Sequence, residues 1–297
     1  MHDLLAYKGL AAALWFAVLF VAERLAPAAP LPPVLAGRMP ARLGRNLALA
    51  AVNFALSPLV VLPLTALAAG HALPWRPDWW QGWPGLCLDL LLLDGLIYWW
   101  HRANHEWPFL WRFHRVHHLD RTLDSTTALR FHFGEVLLSA GARAGIILLL
   151  GFPLASILAF ETLVLIATIF HHSNLRLPPR LEQALARLVI TPSIHWVHHH
   201  RRQADTDSNY GTVFSFWDRL FRTVSPTRRE PRMEIGVEGT EEEKLGGLLL
   251  GPARGRHCAL GLIGTPINAA RVSADRAWGI GTDGRDVLAR LGGAHRP

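Results

Sequence analysis

The sequence predicts an all-α integral membrane fold of about four to five transmembrane helices, closed on one side by a cytoplasmic helical cap. Three features carry that expectation. Apolar residues come in long runs, arginines gather at the same ends of those runs, and histidines crowd into those ends. The 297 residues are 51% hydrophobic with a positive mean hydropathy, enough to bury a sizeable core or to line a bilayer.

The first apolar run covers residues 10–22, the second covers 47–69 and contains Pro58 and Pro63, and the third covers 86–100. Each approaches or exceeds the ~20 residues a bilayer core demands of a helix. Residues 136–170 form a longer run with Gly151-Phe152-Pro153 in its middle, so they read as two helices folded into a hairpin. Asp89, Asp94, Arg143 and Glu161 fall inside runs, where carboxylates are expected to face protein or water. The first run lacks a strong basic flank and a clear A-x-A-like site, so a retained helix is expected in preference to a cleaved signal.

Charge sets the topology. Arg24, Arg38, Arg42 and Arg45 follow the first run. Arg102, Arg112, Arg115, Arg121 and Arg130 follow the third, and Arg176, Arg180, Arg187, Arg201 and Arg202 follow the hairpin. Only Lys8 and Arg76 fall on the other side, so the positive-inside rule makes the histidine-bearing loops cytoplasmic and residues 75–83 an opposite tryptophan belt. The net charge of +7 does not point to nucleic acid. Its arginines adjoin apolar runs, where anionic headgroups attract them. Cys87 and Cys258 exclude a disulfide framework and a four-thiolate cluster. Residues 1–254 are expected to form one membrane-embedded domain. The Gly-, Ala- and Arg-rich residues 255–297 are expected to be a loosely ordered tail.

Twelve of the sixteen histidines lie between Trp100 and Arg201. His101/His105, His114/His117/His118 and His195/His198/His199 each have spacings that place imidazoles on one side of a helix. Imidazole suits Zn, Cu, Fe and Ni. A tetrahedral zinc needs only four ligands, so three convergent groups imply more than one ion. His172, at the end of the hairpin, is favoured over His171 as a further ligand. His200 is turned about 100° from His199 and is expected to face elsewhere. His132 is open as a ligand or as a hydrogen-bonding partner of one, and His2, His71 and His257 have no partners in sequence. Asp94, Glu135, Asp205, Asp207 and Asp218 are expected to accept the distal imidazole N–H groups. Neither Glu-x-x-His pairs nor His-Glu-x-x-His occur in this segment, so a carboxylate-bridged site and a metalloprotease are disfavoured.

The order of these pieces is more specific than any one of them: His101 to His105, His114 to His118, Arg130 to Glu135, His172-Ser173-Asn174, His195 to His199, Asn209-Tyr210-Gly211 and Trp217 to Phe221. It resembles the fatty acid hydroxylase/sterol desaturase superfamily of membrane oxygenases, over roughly residues 5–254. The resemblance implies two iron ions at the cytoplasmic membrane face, dioxygen as cosubstrate, and a lipid substrate, fatty acyl, sterol or related, drawn from the bilayer. It implies a hydroxylase or a desaturase, which share the same first hydrogen abstraction. The expected metal ligands are His101, His105, His114, His117, His118, His172, His195, His198 and His199. Zinc is expected to substitute on purification, because imidazole sites hold Zn²⁺ more tightly than Fe²⁺.

Two departures stand out. Phe133 occupies a position where the family usually has proline, and the tail beyond Arg254 is unlike the family. The chain has no His-Pro-Gly-Gly haem segment and no Gly-x-Gly-x-x-Gly loop, so a separate electron donor is expected, a ferredoxin, cytochrome or reductase docking on the arginine-rich face. Two other classes of protein use clustered histidines. A metal-handling membrane protein would place ionisable ligands in mid-span. A zinc-dependent membrane hydrolase needs three ligands and a Glu base, and nine imidazoles exceed that.

Overall fold

Helices make the frame that the apolar runs demand. The computed structural model describes residues 2–240 and 243–252, and among these no strand occurs. Extended pairing consists of isolated bridges such as Pro27 with Leu175. The tail expected at 255–297, with His257, lies outside the described residues.

α1 (His2–Leu25) covers the first run and leaves Leu10, Leu14, Val18 and Val21 exposed along one face, a lipid-ready stripe. A connection containing the short α2 (Pro33–Ala36) leads to α3 (Met39–Leu56). The second run is not broken by its prolines. α3 passes through a π-helical stretch, Ser57–Val61, into α4 (Leu62–Gly70), so Met39–Gly70 is one apolar rod. Proline cannot make the usual bond to the carbonyl four residues back and its ring crowds that carbonyl. The wider π turn relieves both constraints.

α5 (Gly82–Glu106) carries the third run and the first two histidines. Its two carboxylates are buried and face protein, as expected at that depth. Asp94 accepts hydrogen bonds from the backbone N–H groups of Val213 and Phe214, at 3.2 and 3.1 Å, and from the Trp217 indole at 2.9 Å. Gly95 makes that last contact possible, since a Cβ there would lie 3.0 Å from the Trp217 ring. Asp89 pairs with Arg76 and accepts from Trp80 and Ser156.

α6 (Pro108–His118) follows after a single residue. A loop with a 3₁₀ turn at Ser125–Leu129 then leads to the hairpin of α7 (Phe133–Leu150) and α8 (Leu154–His172). Gly151 closes α7 in the left-handed conformation, φ 67°, which lets Phe152 turn inward against Ala68, Leu93, Ala144 and Ile147. Arg143 and Glu161 pair across the hairpin at 3.3 Å. Among the described residues, three helices are long and apolar enough to cross a membrane: Met39–Gly70, Phe133–Leu150 and Leu154–His172. α5, also expected to span, falls outside that set, its two aspartates interrupting the apolar run, and the start of α1 lies outside the residues whose side chains are described. The short helices α9 (Pro179–Ala186), α10 (Pro192–His198), α11 (Gln203–Thr206), α12 (Phe216–Leu220) and α13 (Leu245–Leu250) belong to the polar part of the chain on the histidine side.

Candidate metal centre

The imidazoles come from four helix ends. His101 and His105 lie one turn apart at the end of α5. His114, His117 and His118 occupy one face of the last turns of α6, and His172 ends α8. Pro108 and Pro192 start α6 and α10, positions where proline's missing N–H costs nothing. α10 contributes His195 and His198, and His199 follows just past its end.

All nine expected ligands converge, and they divide into two sets. His101, His105, His114, His118 and His198 form one; His117, His172, His195 and His199 form the other. Within each set the candidate donor atoms lie within 4.8 Å of one another, and every residue is buried. The sets touch where His118 stacks on His199, ring centroids 4.2 Å apart. His171 packs on His195 at 4.0 Å but belongs to neither set. His132 bonds to neither: it caps α7 by accepting from the Gly134 N–H, and its other nitrogen faces the Leu249 carbonyl. His200 turns away and pairs with Asp205 at 2.7 Å.

Tautomers follow from the partners. Nδ1 of His101 lies 2.8 Å from the Tyr210 carbonyl, and Nδ1 of His198 lies 2.6 Å from that of Ser208. A carbonyl oxygen only accepts, so both Nδ1 atoms carry the proton and both Nε2 atoms present lone pairs. Yet the two Nε2 atoms face each other at 3.1 Å. The other set repeats the pattern. His117 and His172 donate from Nδ1 to the carbonyls of Arg130 and Thr168, at 3.3 and 2.8 Å, while their Nε2 atoms meet at 2.9 Å. Protonation is opposed by the surroundings: burial, and then the neighbouring imidazoles, hold His117, His118, His195 and His199 well below the ordinary histidine range. Burial pushes His198 down to about 3. Both ring nitrogens of His105, and Nδ1 of His118, His195 and His199, are buried without a hydrogen-bond partner. Converging lone pairs that cannot take up protons suit a cation at each set, and the all-nitrogen donors suit a transition metal.

The expected carboxylate acceptors need correcting. Glu135 does meet Nδ1 of His114, at 2.7 Å, and Asp207 approaches Nδ1 of His105 only to 3.5 Å. Asp94 serves α12 and the strap before it, and Asp205 serves His200. Asp218 accepts from the Tyr210 and Gly211 N–H groups, one step removed from His101. Backbone carbonyls do most of this work, and no side-chain pattern could have announced them. Gly211 permits the Asp218 grip, since a Cβ there would lie 2.7 Å from the carboxylate.

A charged frame absent from the sequence reading stands beside the imidazoles. Arg42 of α3, buried, grips Asp120 through Nε and Nη2, at 2.6 and 2.8 Å, and reaches Asp124 at 2.9 Å. Asn46 and Thr127 add bonds to Asp120. Burial alone would raise the Asp120 carboxyl, but the Arg42 and Arg130 guanidiniums outweigh it and bring it to about 2. Arg130, fully buried, donates to the Val116 carbonyl at 2.9 Å and to Asn46 at 3.0 Å. The 119–130 loop is thereby fastened to α3 and to the helix that presents three of the imidazoles.

Residues 86–223, which contain all nine histidines, match the fatty acid hydroxylase family. Over that segment, a little under half of its length, the chain is similar to this family. Among its relatives, an ornithine lipid hydroxylase of Rhizobium tropici is 29% identical over 61% of this chain and 54% of its own length. An alkylglycerol monooxygenase of Danio rerio is 33% identical over 52% of this chain and 32% of its own length. A very-long-chain aldehyde decarbonylase of Oryza sativa subsp. japonica is 29% identical over 53% of this chain and 26% of its own length. The chain thus spans from about half to about a quarter of these relatives. No solved structure matches.

Proposed function

We propose that this chain is a membrane-bound, dioxygen-dependent non-haem di-iron hydroxylase or desaturase acting on a C–H bond of a lipid. His101, His105, His114, His118 and His198 hold one iron, and His117, His172, His195 and His199 hold the other. The facing lone pairs of His101/His198 and His117/His172 carry this reading, in a chain whose relatives include a lipid hydroxylase and a monooxygenase. The irons supply the activation of dioxygen that attack on an unactivated C–H bond requires.

The protein's own residues hold, orient and dry the site. Carbonyls of Tyr210, Ser208, Arg130 and Thr168 fix four rings in the tautomer that turns Nε2 inward, and Glu135 does the same for His114 while adding negative charge. Phe131 stacks on His117 at 4.4 Å, and Trp111 lies 5.1 Å from His105, so aromatic faces exclude water around the sets. The sets sit at the ends of α5 and α8, where a lipid chain lying between the helices reaches them. α1 and α5 complete a bundle of five spans, the histidine face is cytoplasmic, and an acidic ferredoxin, cytochrome or reductase delivers electrons to its arginines.

The test is comparative lipidomics under ¹⁸O₂ on host membranes carrying the wild type or a His117→Ala/His198→Ala variant. A lipid that gains one labelled oxygen only with the wild type is the expected result for a hydroxylase, and one that loses two hydrogens is the result for a desaturase. Identical lipid profiles with a competent electron donor present would sink the oxygenase reading and favour a metal-handling protein.

A further inference from the structure

A cavity of about 1020 Å³ is bounded by the 27–35 connection, residues 121–124, Trp196 of α10 and the 231–235 segment, and no imidazole lines it. Trp196 forms part of its wall, one position after His195 and so about 100° around the helix. Trp196 packs there with Ala29, Leu123, Ile235 and Met233, and the connection adds Leu31, Val34 and four prolines. This wall joins the end of α1 to the start of α3. Leu25 and Val34, 81% and 73% exposed, project apolar surface from that level. Where apolar helices end is the depth of lipid headgroups.

The charges around this apolar space are unequally committed. Arg24 donates to Glu23 and to the Phe20 carbonyl, and Arg201 pairs with Glu234. Glu23 accepts from Ser125 and from the Asn174 N–H, and Asp124 is held by Arg42. Arg121 and Arg232 line the cavity and make no ion pair or hydrogen bond among the described residues. The wall also holds two buried polar groups without partners, the Trp196 indole N–H and the Thr122 hydroxyl. Two free guanidiniums, an idle N–H donor and an idle hydroxyl beside an apolar trough match a molecule that is anionic at one end and aliphatic at the other.

We propose that this cavity binds the anionic headgroup of a bilayer lipid, with its phosphate or carboxylate at Arg121, Arg232 and the Trp196 N–H and its first methylenes against the proline-rich wall. The lipid bound here is not the molecule oxidised. It ties the 26–38 connection to the 231–235 segment beside the ligand helix, so the proposal stands apart from the oxygenase reading.

The test uses the full chain in a neutral detergent, with dodecyl phosphate as probe and native mass spectrometry as readout. One saturable dodecyl phosphate per chain is expected, undisturbed by excess dodecyl maltoside. Arg121→Ala/Arg232→Ala should weaken it by about tenfold or more, the effect of losing charge-assisted bonds. Met233→Trp, which fills the trough without changing charge, should weaken it as well, and both variants should keep the wild-type metal content, the check that they fold. Equal binding by the wild type and the double arginine variant would overturn the proposal, as would the absence of saturable binding. Inorganic phosphate binding as tightly as dodecyl phosphate would show a free-anion site and overturn the lipid assignment.

Discussion

Two buried polar clusters lie side by side, one reached by His118 and the other by Asp120 two residues on, and they follow opposite rules. Around Arg42 every charge has its opposite: a guanidinium bridges two carboxylates, and Asn46, Thr126 and Thr127 take up remaining lone pairs. Among the imidazoles, lone pairs are aimed at lone pairs, and several ring nitrogens have no partner within the protein. Both clusters are largely buried, so burial does not distinguish them. Completeness does. The first cluster is finished by the chain itself and fastens α3 to the loop after α6, whereas the second is left open by the chain's own atoms, as the proposed metal sites require.

The contrast can be broken from either side. Arg42→Met should destabilise the protein by about 3–5 kcal/mol, because it removes the guanidinium bonded directly to two buried carboxylates. Adding Asp120→Asn and Asp124→Asn should recover part of that loss, and chemical unfolding in detergent micelles reads both. A smaller effect is expected of Glu135→Gln, which keeps the acceptor to His114 but removes its charge. Metal affinity should drop about 10–100-fold in the five-histidine set alone, as measured by competition with a chelator. The smallest belongs to His200→Ala, next to a ligand in sequence but paired with Asp205. It should cost about 1 kcal/mol and leave metal content unchanged. A loss of metal on that substitution would show that sequence proximity, not the geometry of the sets, decides the ligands.

The histidine centre was more legible in the sequence than its support was. Spacing by three and four along α6 brings His114, His117 and His118 together because a helix repeats every 3.6 residues. The same spacing succeeded for His199 for another reason, since α10 ends at His198 and a tight turn carries the next ring inward. Of His171 and His172, consecutive on α8 and so about 100° apart, His172 is the one that meets His117 and His195 through Nε2. The carbonyls of Tyr210, Ser208, Arg130 and Thr168 could not be foreseen, since any residue type supplies a carbonyl. Arg42 read as one more topological charge because its partners lie 78 and 82 residues away. In the second run the prolines suggested an interruption, yet a π turn absorbed them and kept the rod whole. Asp89 and Asp94 face protein partners, as the cost of facing lipid leaves a mid-run carboxylate few alternatives.

The central claim is that nine imidazoles form two separate metal sites. The most direct measurement is metal stoichiometry per chain after anaerobic loading with Fe²⁺, on the wild type, His198→Ala and His117→Ala, with folding checked by circular dichroism. Two ions are expected in the wild type. Each variant should lose the ion of its own set and keep the other, and the double variant should bind neither tightly. One ion in the wild type, or two ions retained in both single variants, would contradict it.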